Sequence, residues 1–78
     1  MKLGVRIMPK LEVLDSQGRA VEQTLKHNGK EISQCRVGKF VELEIDETDK
    51  DKAIAMAHEI AEFVLYNPLT ESYEVELI

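Results

Sequence analysis

The sequence predicts an α+β domain of the ferredoxin-like kind, β-α-β-β-α-β, with an antiparallel sheet and two helices on one face. Three observations lead there. Residues 2–8, 41–45 and 73–77 alternate apolar and polar side chains with the period of a half-buried strand. Residues 15–28 and 48–65 repeat apolar side chains at helical spacing. Pro9, Asn28-Gly29, Gly38 and Asn67-Pro68 punctuate these runs with turn and stop chemistry.

The first strand sets Leu3, Val5 and Ile7 against Lys2, Gly4 and Arg6. Pro9 ends it, because proline has no N–H to give to a ladder. Residues 10–14 connect to Asp15, an N-cap whose carboxylate can accept from the free N–H groups of a first helical turn. The helix reaches about Asn28 and carries a narrow stripe of Ala20, Val21 and Leu25, with Thr24 beside it. Gly18 in the first turn costs roughly 1 kcal/mol against alanine, which implies a neighbour approaching its backbone closely. Asn28-Gly29 supplies a left-handed stop.

Residues 31–46 are expected to form a hairpin. Gly38-Lys39 suits a two-residue type II′ turn. The second hairpin strand points Val41, Leu43 and Ile45 inward and Glu42 and Glu44 outward. The first is less regular, and a bulge between Ile32 and Cys35 would restore a common face. Thr48, with Asp51 three residues on, resembles a capping box for the second helix. Ala53, Ile54, Ala57, Ile60, Ala61, Val64 and Leu65 give that helix a long apolar face. Asn67-Pro68 stops it. Tyr73, Val75 and Leu77, alternating with Glu74 and Glu76, form the last strand. A right-handed crossover is expected to make the first and third strands parallel neighbours. The open sheet face then carries Lys2 and Arg6 opposite Glu42, Glu44, Glu74 and Glu76, and is a candidate dimerisation surface.

Seventy-eight residues make one domain, spanning 1–78. A domain of this size is marginal without disulfides, a structural metal or oligomerisation. One cysteine and two dispersed histidines exclude the first two supplements, so self-association is expected. The net charge of −5 argues against a nucleic-acid reader. No apolar run approaches the ~18 residues of a membrane span. Residues 1–6 lack the apolar stretch of a leader, and with a lone thiol the expected location is the cytoplasm.

Nothing in the sequence assembles a catalytic set. His58-Glu59 begins like a zincin motif, but position 62 is Glu. The acids of residues 46–51 lack the glycine and glutamate spacing of a calcium loop and read as helix caps. Gly38-Lys39 lacks the earlier glycine of a phosphate loop. Cys35 reads as a small half-buried thiol within a strand. No nucleophile, base and orienter come together, so neither catalytic residues, a metal nor a cofactor is expected in this chain. The candidate partner contacts are Asp15, Gln17 and Gly18 at the entry to the first helix and Arg36 and Lys39 near the hairpin turn. Both are polar segments where a scaffold commonly presents binding residues.

Three stretches carry a family resemblance. Residues 13–21, VLDSQGRAV, resemble the V-L-D-P-Q-G-x-A-V helix entry of the small PurS-type subunit of phosphoribosylformylglycinamidine synthase. Residues 35–43, CRVGKFVEL, are similar to its V-R-x-G-K-x-x-E-L segment, and residues 67–75, NPLTESYEV, to its N-P-V-I-E-x-Y-x-V finish. Ser16, Cys35 and Thr70 depart from the pattern. The resemblance spans essentially the whole chain. It implies a single PurS-like domain that acts in de novo purine synthesis as a non-catalytic subunit. It further implies a homodimer or tetramer that bridges a glutaminase subunit and a large ATP- and Mg-using amidotransferase subunit and helps to complete an ammonia path. The alternative is a small-molecule-binding regulatory module of the same fold, against which stands the absence of glycine from residues 9–14. An RNA-binding sheet would need exposed aromatics and positive charge.

Overall fold

In the computed structural model, which describes residues 1–78, the central strand is β1 (Lys2–Pro9). It is flanked by β2 (Lys39–Glu44) and β3 (Glu71–Leu77) in the order β2-β1-β3. Both pairings are antiparallel, with Leu3 opposite Leu43 and Leu77, and Val5 opposite Val41 and Val75. The alternation of β1 therefore does what its pattern implies. Leu3, Val5 and Ile7 are fully buried, and Arg6 on the other face bridges to Glu76 at 2.9 Å. Gly4 lies beneath the Phe40 ring, where a Cβ would sit 2.2 Å from it. The expectation of parallel neighbours is corrected: the strand at 39–44 does lie beside β1, but it runs the opposite way.

The hairpin is also corrected. Gly29 is the one glycine with positive φ, at 77°, so Gly38 does not make the mirror-image turn that a two-residue hairpin needs. Gly38 instead passes tightly over β1, where a Cβ would lie 2.3 Å from the Ile7 carbonyl oxygen and from Met8 Sδ. The chain runs on through Gly38, so residues 30–37 lead into β2 from beyond the end of the sheet. Four expected strands become three, and the order in the single chain is β-α-β-α-β.

Helix α1 (Ser16–His27) begins at the expected cap, Asp15. It closes at Asn28-Gly29 with Lys30 N–H on the Leu25 carbonyl and Gly29 N–H on the Lys26 carbonyl, the two bonds of a Schellman stop. It has no extensive packing against the sheet. Val21 stays 42 % exposed and Leu25 half-buried. The molecule measures 48 × 25 × 15 Å with a radius of gyration of 15.6 Å, against about 11.5 Å for a compact chain of this length. A projecting arm of α1 and residues 30–37 accounts for the excess. Covering of the sheet by both helices is thus not seen in the single chain.

Helix α2 (Lys50–Ile60) does cover it. Its cap is Asp49, one residue after the expected Thr48, and the Asp49 carboxylate accepts from Asp51 and Lys52 N–H. Ala53, Ala57 and Ala61 are fully buried against Leu3, Val5 and Ile7. Small side chains let the helix lie close on the strand, and larger neighbours such as Ile54 and Ile60 fill the flanks. The helix continues as a π-helical turn, Ala61–Leu65. That wider turn brings Leu65 and Tyr66 to the core and leaves Val64 67 % and Phe63 89 % exposed. Val64 therefore leaves the apolar face that regular helical spacing assigned to it. No helix is long and apolar enough to cross a membrane.

The alanine stripe yields a sharp prediction. Ala57→Leu should lift α2 from β1 and cost about 1–3 kcal/mol. The check is a lowered urea midpoint, with Ala55→Leu on the exposed side of the same helix as the control.

Candidate docking site

The sequence-predicted contacts lie on two elements that the tertiary structure joins. Asp15 sits between the end of the 10–14 connection and the first turn of α1. Its Oδ1 accepts from Gly18 N–H at 2.9 Å, the local cap bond. Its Oδ2 accepts from Val37 N–H at 2.8 Å, across 22 residues of chain. One carboxylate thus holds the helix start to the lead-in of β2. Gly18 is buried in this joint, where a Cβ would lie 2.6 Å from the Cys35 carbonyl oxygen. The close neighbour implied by a helical glycine is therefore present. Arg36 closes the joint from the other side, donating to the Pro9 carbonyl at the end of β1.

These bonds set the electrostatics. The two N–H groups of Gly18 and Val37 hold the Asp15 carboxyl below its ordinary value of 3.8; burial opposes them, and the Arg36 charge adds the least of these effects, on the lowering side. Asp15, Gly18 and Arg36 therefore act within the fold, while Gln17 and Lys39 are exposed. Gln17 and Lys39 line one shallow cleft of about 280 Å³ together with Leu14 and Glu71. A second cleft, about 200 Å³, adjoins it and carries Leu11, Arg19 and Arg36. The sequence reading missed Leu11 and Leu14, which are 79 % and 66 % exposed. The available signal was two apolar residues in a connection that fits neither strand nor helix period.

Other features are not catalytic in arrangement. His58 Nδ1 meets the Tyr73 hydroxyl at 2.8 Å, and that hydroxyl donates to Glu62 Oε2 at 2.9 Å. Burial, then the bond to Glu62, pushes the Tyr73 hydroxyl up to about 12. The cluster clamps α2 and its π-turn to β3. His58 and Glu62 are one helical turn apart in the sequence, but the hydroxyl that joins them comes from Tyr73 on β3, which local spacing does not bring to them. Cys35 is half-buried and free, and lies in the lead-in segment outside any paired strand. No three His, Cys, Asp or Glu side chains are grouped to hold a metal ion.

The comparisons follow this geometry along the whole chain. A profile for PurS, phosphoribosylformylglycinamidine (FGAM) synthase, matches residues 2–78. The chain belongs to the PurS family. Membership makes it a subunit of FGAM synthase, a ligase of purine biosynthesis. It is 42 % identical over 74 residues to the phosphoribosylformylglycinamidine synthase subunit PurS of Mycobacterium leprae, covering 91 % of this chain and 87 % of that one. The crystal structure of the purS subunit from Thermotoga maritima superposes with a TM-score of 0.93 at 29 % identity, over 99 % of this chain and 90 % of that one. A chain of the PurLQS structure from Thermotoga maritima superposes with a TM-score of 0.91 at 29 % identity, covering 99 % and 95 %. PurS chains thus share this three-stranded fold.

Two outcomes test the joint. Gly18→Ala forces the Cys35 carbonyl away and should destabilise by about 1–3 kcal/mol, seen as a lower urea midpoint. Asp15→Asn keeps one acceptor oxygen and loses the charge. Because the folded-state carboxyl is depressed, its stabilisation is present above its unfolded value near 3.8 and fades as pH falls through the lower folded value. The wild type should therefore exceed Asp15→Asn in urea midpoint at pH 7, and the gap should close as the pH falls below 3.8.

For the clamp the sign reverses. The Tyr73 proton is retained in the folded state up to about pH 12 and is released earlier by the unfolded chain. Wild-type stability should fall above pH 10 more steeply than that of Tyr73→Phe, measured by denaturant titration at each pH.

Proposed function

We propose that this chain acts as a non-catalytic bridge in the synthase, holding the glutaminase subunit and the large amidotransferase subunit together and supporting passage of ammonia between them. The carrying observation is the whole-chain likeness to a component of the PurLQS structure. The joint around Asp15 supports it physically. It is a rigid, hydrogen-bonded corner that presents exposed side chains instead of a cavity able to enclose a substrate. On this reading the ATP and Mg chemistry belongs to the large subunit and glutamine hydrolysis to the glutaminase.

The docking side chains are Gln17, Lys39 and Leu14, because they stand on that corner with no internal partner. Arg36 contributes chiefly by fixing the corner through Pro9. An apolar anchor with a polar rim is the usual anatomy of such a contact. The chain also associates with itself, as a dimer or tetramer, because seven buried apolar side chains are a small core for 78 residues. A cytoplasmic location fits a purine-synthesis subunit with one free thiol.

The test is assembly with the two larger subunits. Leu14→Ser combined with Lys39→Glu should leave the melting temperature within a few degrees, since exposed substitutions usually stay within about 0.5 kcal/mol. The same variant should weaken holoenzyme formation about tenfold, or ~1.4 kcal/mol, measured by isothermal calorimetry or gel filtration. Unchanged assembly and unchanged glutamine-dependent turnover would sink the corner as a docking site.

A further inference from the structure

A chain that bridges two different proteins needs two surfaces, and the corner around Asp15 offers one. A second stands near the same end of the sheet. Helix α2 runs towards the Pro9 end of β1, since Ala53 and Ala57 pack with Leu3 while Ala61 packs with Val5 and Ile7. Its π-turn therefore lies towards that end. The turn at residues 67–70 lies there too, with Lys10 N–H on the Thr70 carbonyl at 2.9 Å. These two turns carry Phe63, Val64 and Leu69. Phe63 and Leu69, at 89 % and 81 %, are the most exposed large apolar side chains of the molecule.

Both turns are fixed by bonds of their own. Asn67 Oδ1 accepts from Leu69 N–H at 2.9 Å, the Asn67 carbonyl accepts from Thr70 and Glu71 N–H, and Glu71 Oε1 accepts from Asn67 N–H at 2.8 Å. The π-turn is pinned through Glu62 to the Tyr73 hydroxyl. Exposed apolar side chains on pre-ordered backbone lose little further freedom when a partner covers them. Charge says what that partner is. All ten lysines and arginines lie at or before Lys52, where ten acids match them. Residues 53–78 hold five glutamates and neither lysine nor arginine, and so carry the whole net charge of −5. Glu59 lies one helical turn before Phe63, Glu62 adjoins it, and Glu71 closes the turn that carries Leu69. No cation bridges any of the three. The corner differs, with Arg19 and Lys39 exposed beside its clefts.

We propose that Phe63, Val64 and Leu69, with their glutamate rim, form a second docking surface, which takes an apolar patch rimmed by lysine or arginine on the synthase subunit that does not engage the corner. The proposal rests on the bridging reading and says how the bridge tells its two partners apart. A surface with exposed cations and a surface with only acids reject each other's partner by like-charge repulsion. The same repulsion excludes a second copy of this chain, because a two-fold contact through this patch would set Glu59 and Glu62 against themselves.

Photo-cross-linking in the assembled holoenzyme tests this. A benzoylphenylalanine probe is placed at Phe63 in one preparation and at Leu14 in another, and the captured subunit is identified by mass spectrometry. The probe at Phe63 should capture one of the larger subunits and the probe at Leu14 the other. Three outcomes overturn the patch and leave the corner standing: capture of the same subunit from both positions, capture of a second copy of this chain from Phe63, or no capture from Phe63 while Leu14 reacts. A holoenzyme that assembles without this chain overturns the bridging reading itself. Phe63→Ser combined with Leu69→Ser should raise the dissociation constant of the chain from the holoenzyme at least about tenfold. Glu59→Lys leaves both apolar side chains and the Tyr73 clamp in place. It should slow association at least about threefold at low salt and flatten its salt dependence. An unaltered constant in the first variant, or an unaltered salt dependence in the second, refutes the surface.

Discussion

The Asp15 carboxylate accepts from Gly18 N–H and from Val37 N–H at once, and the path of the chain on either side of the sheet follows from those two bonds. The first starts α1. The second holds the lead-in of β2 beside that start, so α1 and residues 30–37 leave the sheet and return to it at one point. With Arg36 on the Pro9 carbonyl, the same point is fixed to the end of β1. Nothing else links the arm to the body so firmly. A neutral side chain would still cap a helix, but a carboxylate with two oxygens serves two elements that are far apart in sequence.

That corner explains how a chain with little interior can present a defined surface. Its core is one strand, Leu3, Val5 and Ile7, beneath one alanine stripe. A core of this kind is thin by design of its residues. Alanine brings α2 close to β1, yet buries little apolar area on each turn. The balance of stabilisation is expected from association, which agrees with a subunit whose family works within a larger enzyme. The exposed side chains at the corner and the unladdered segment beyond it face different requirements. The corner exposes side chains, whereas the segment beyond it exposes backbone that has no ladder.

The π-turn after α2 shows how a local irregularity redistributes exposure. One extra residue in the turn sends Leu65 and Tyr66 inward, and Tyr66 packs edge-on against Tyr73 at 4.7 Å between centroids. Phe63 and Val64 turn outward as a result. The hydroxyl of Tyr73 is then placed between His58 and Glu62, tying the far end of the helix to β3. The helix is therefore fastened at its start by capping, along its length by alanine contacts and at its end by this clamp.

Much of this was legible in the sequence, because the signals concerned are local. Period-two alternation located β1, β2 and β3, Asp15 and Asn28-Gly29 bounded α1, and the awkward Gly18 announced a close neighbour. The three stretches at residues 13–21, 35–43 and 67–75 named the family. What the sequence could not decide was the partner of each extended segment. Gly38 is compatible with a tight turn and with a straight passage over Ile7 and Met8, and only packing against β1 selects the second. The direction of β2 beside β1, the second bond of Asp15 and the outward turn of Val64 are likewise contacts between residues far apart in the chain. Local periodicity says which residues share a face; the register, the direction and the neighbour are properties of the assembled sheet, because the hydrogen bonds that fix them do not exist until distant segments meet.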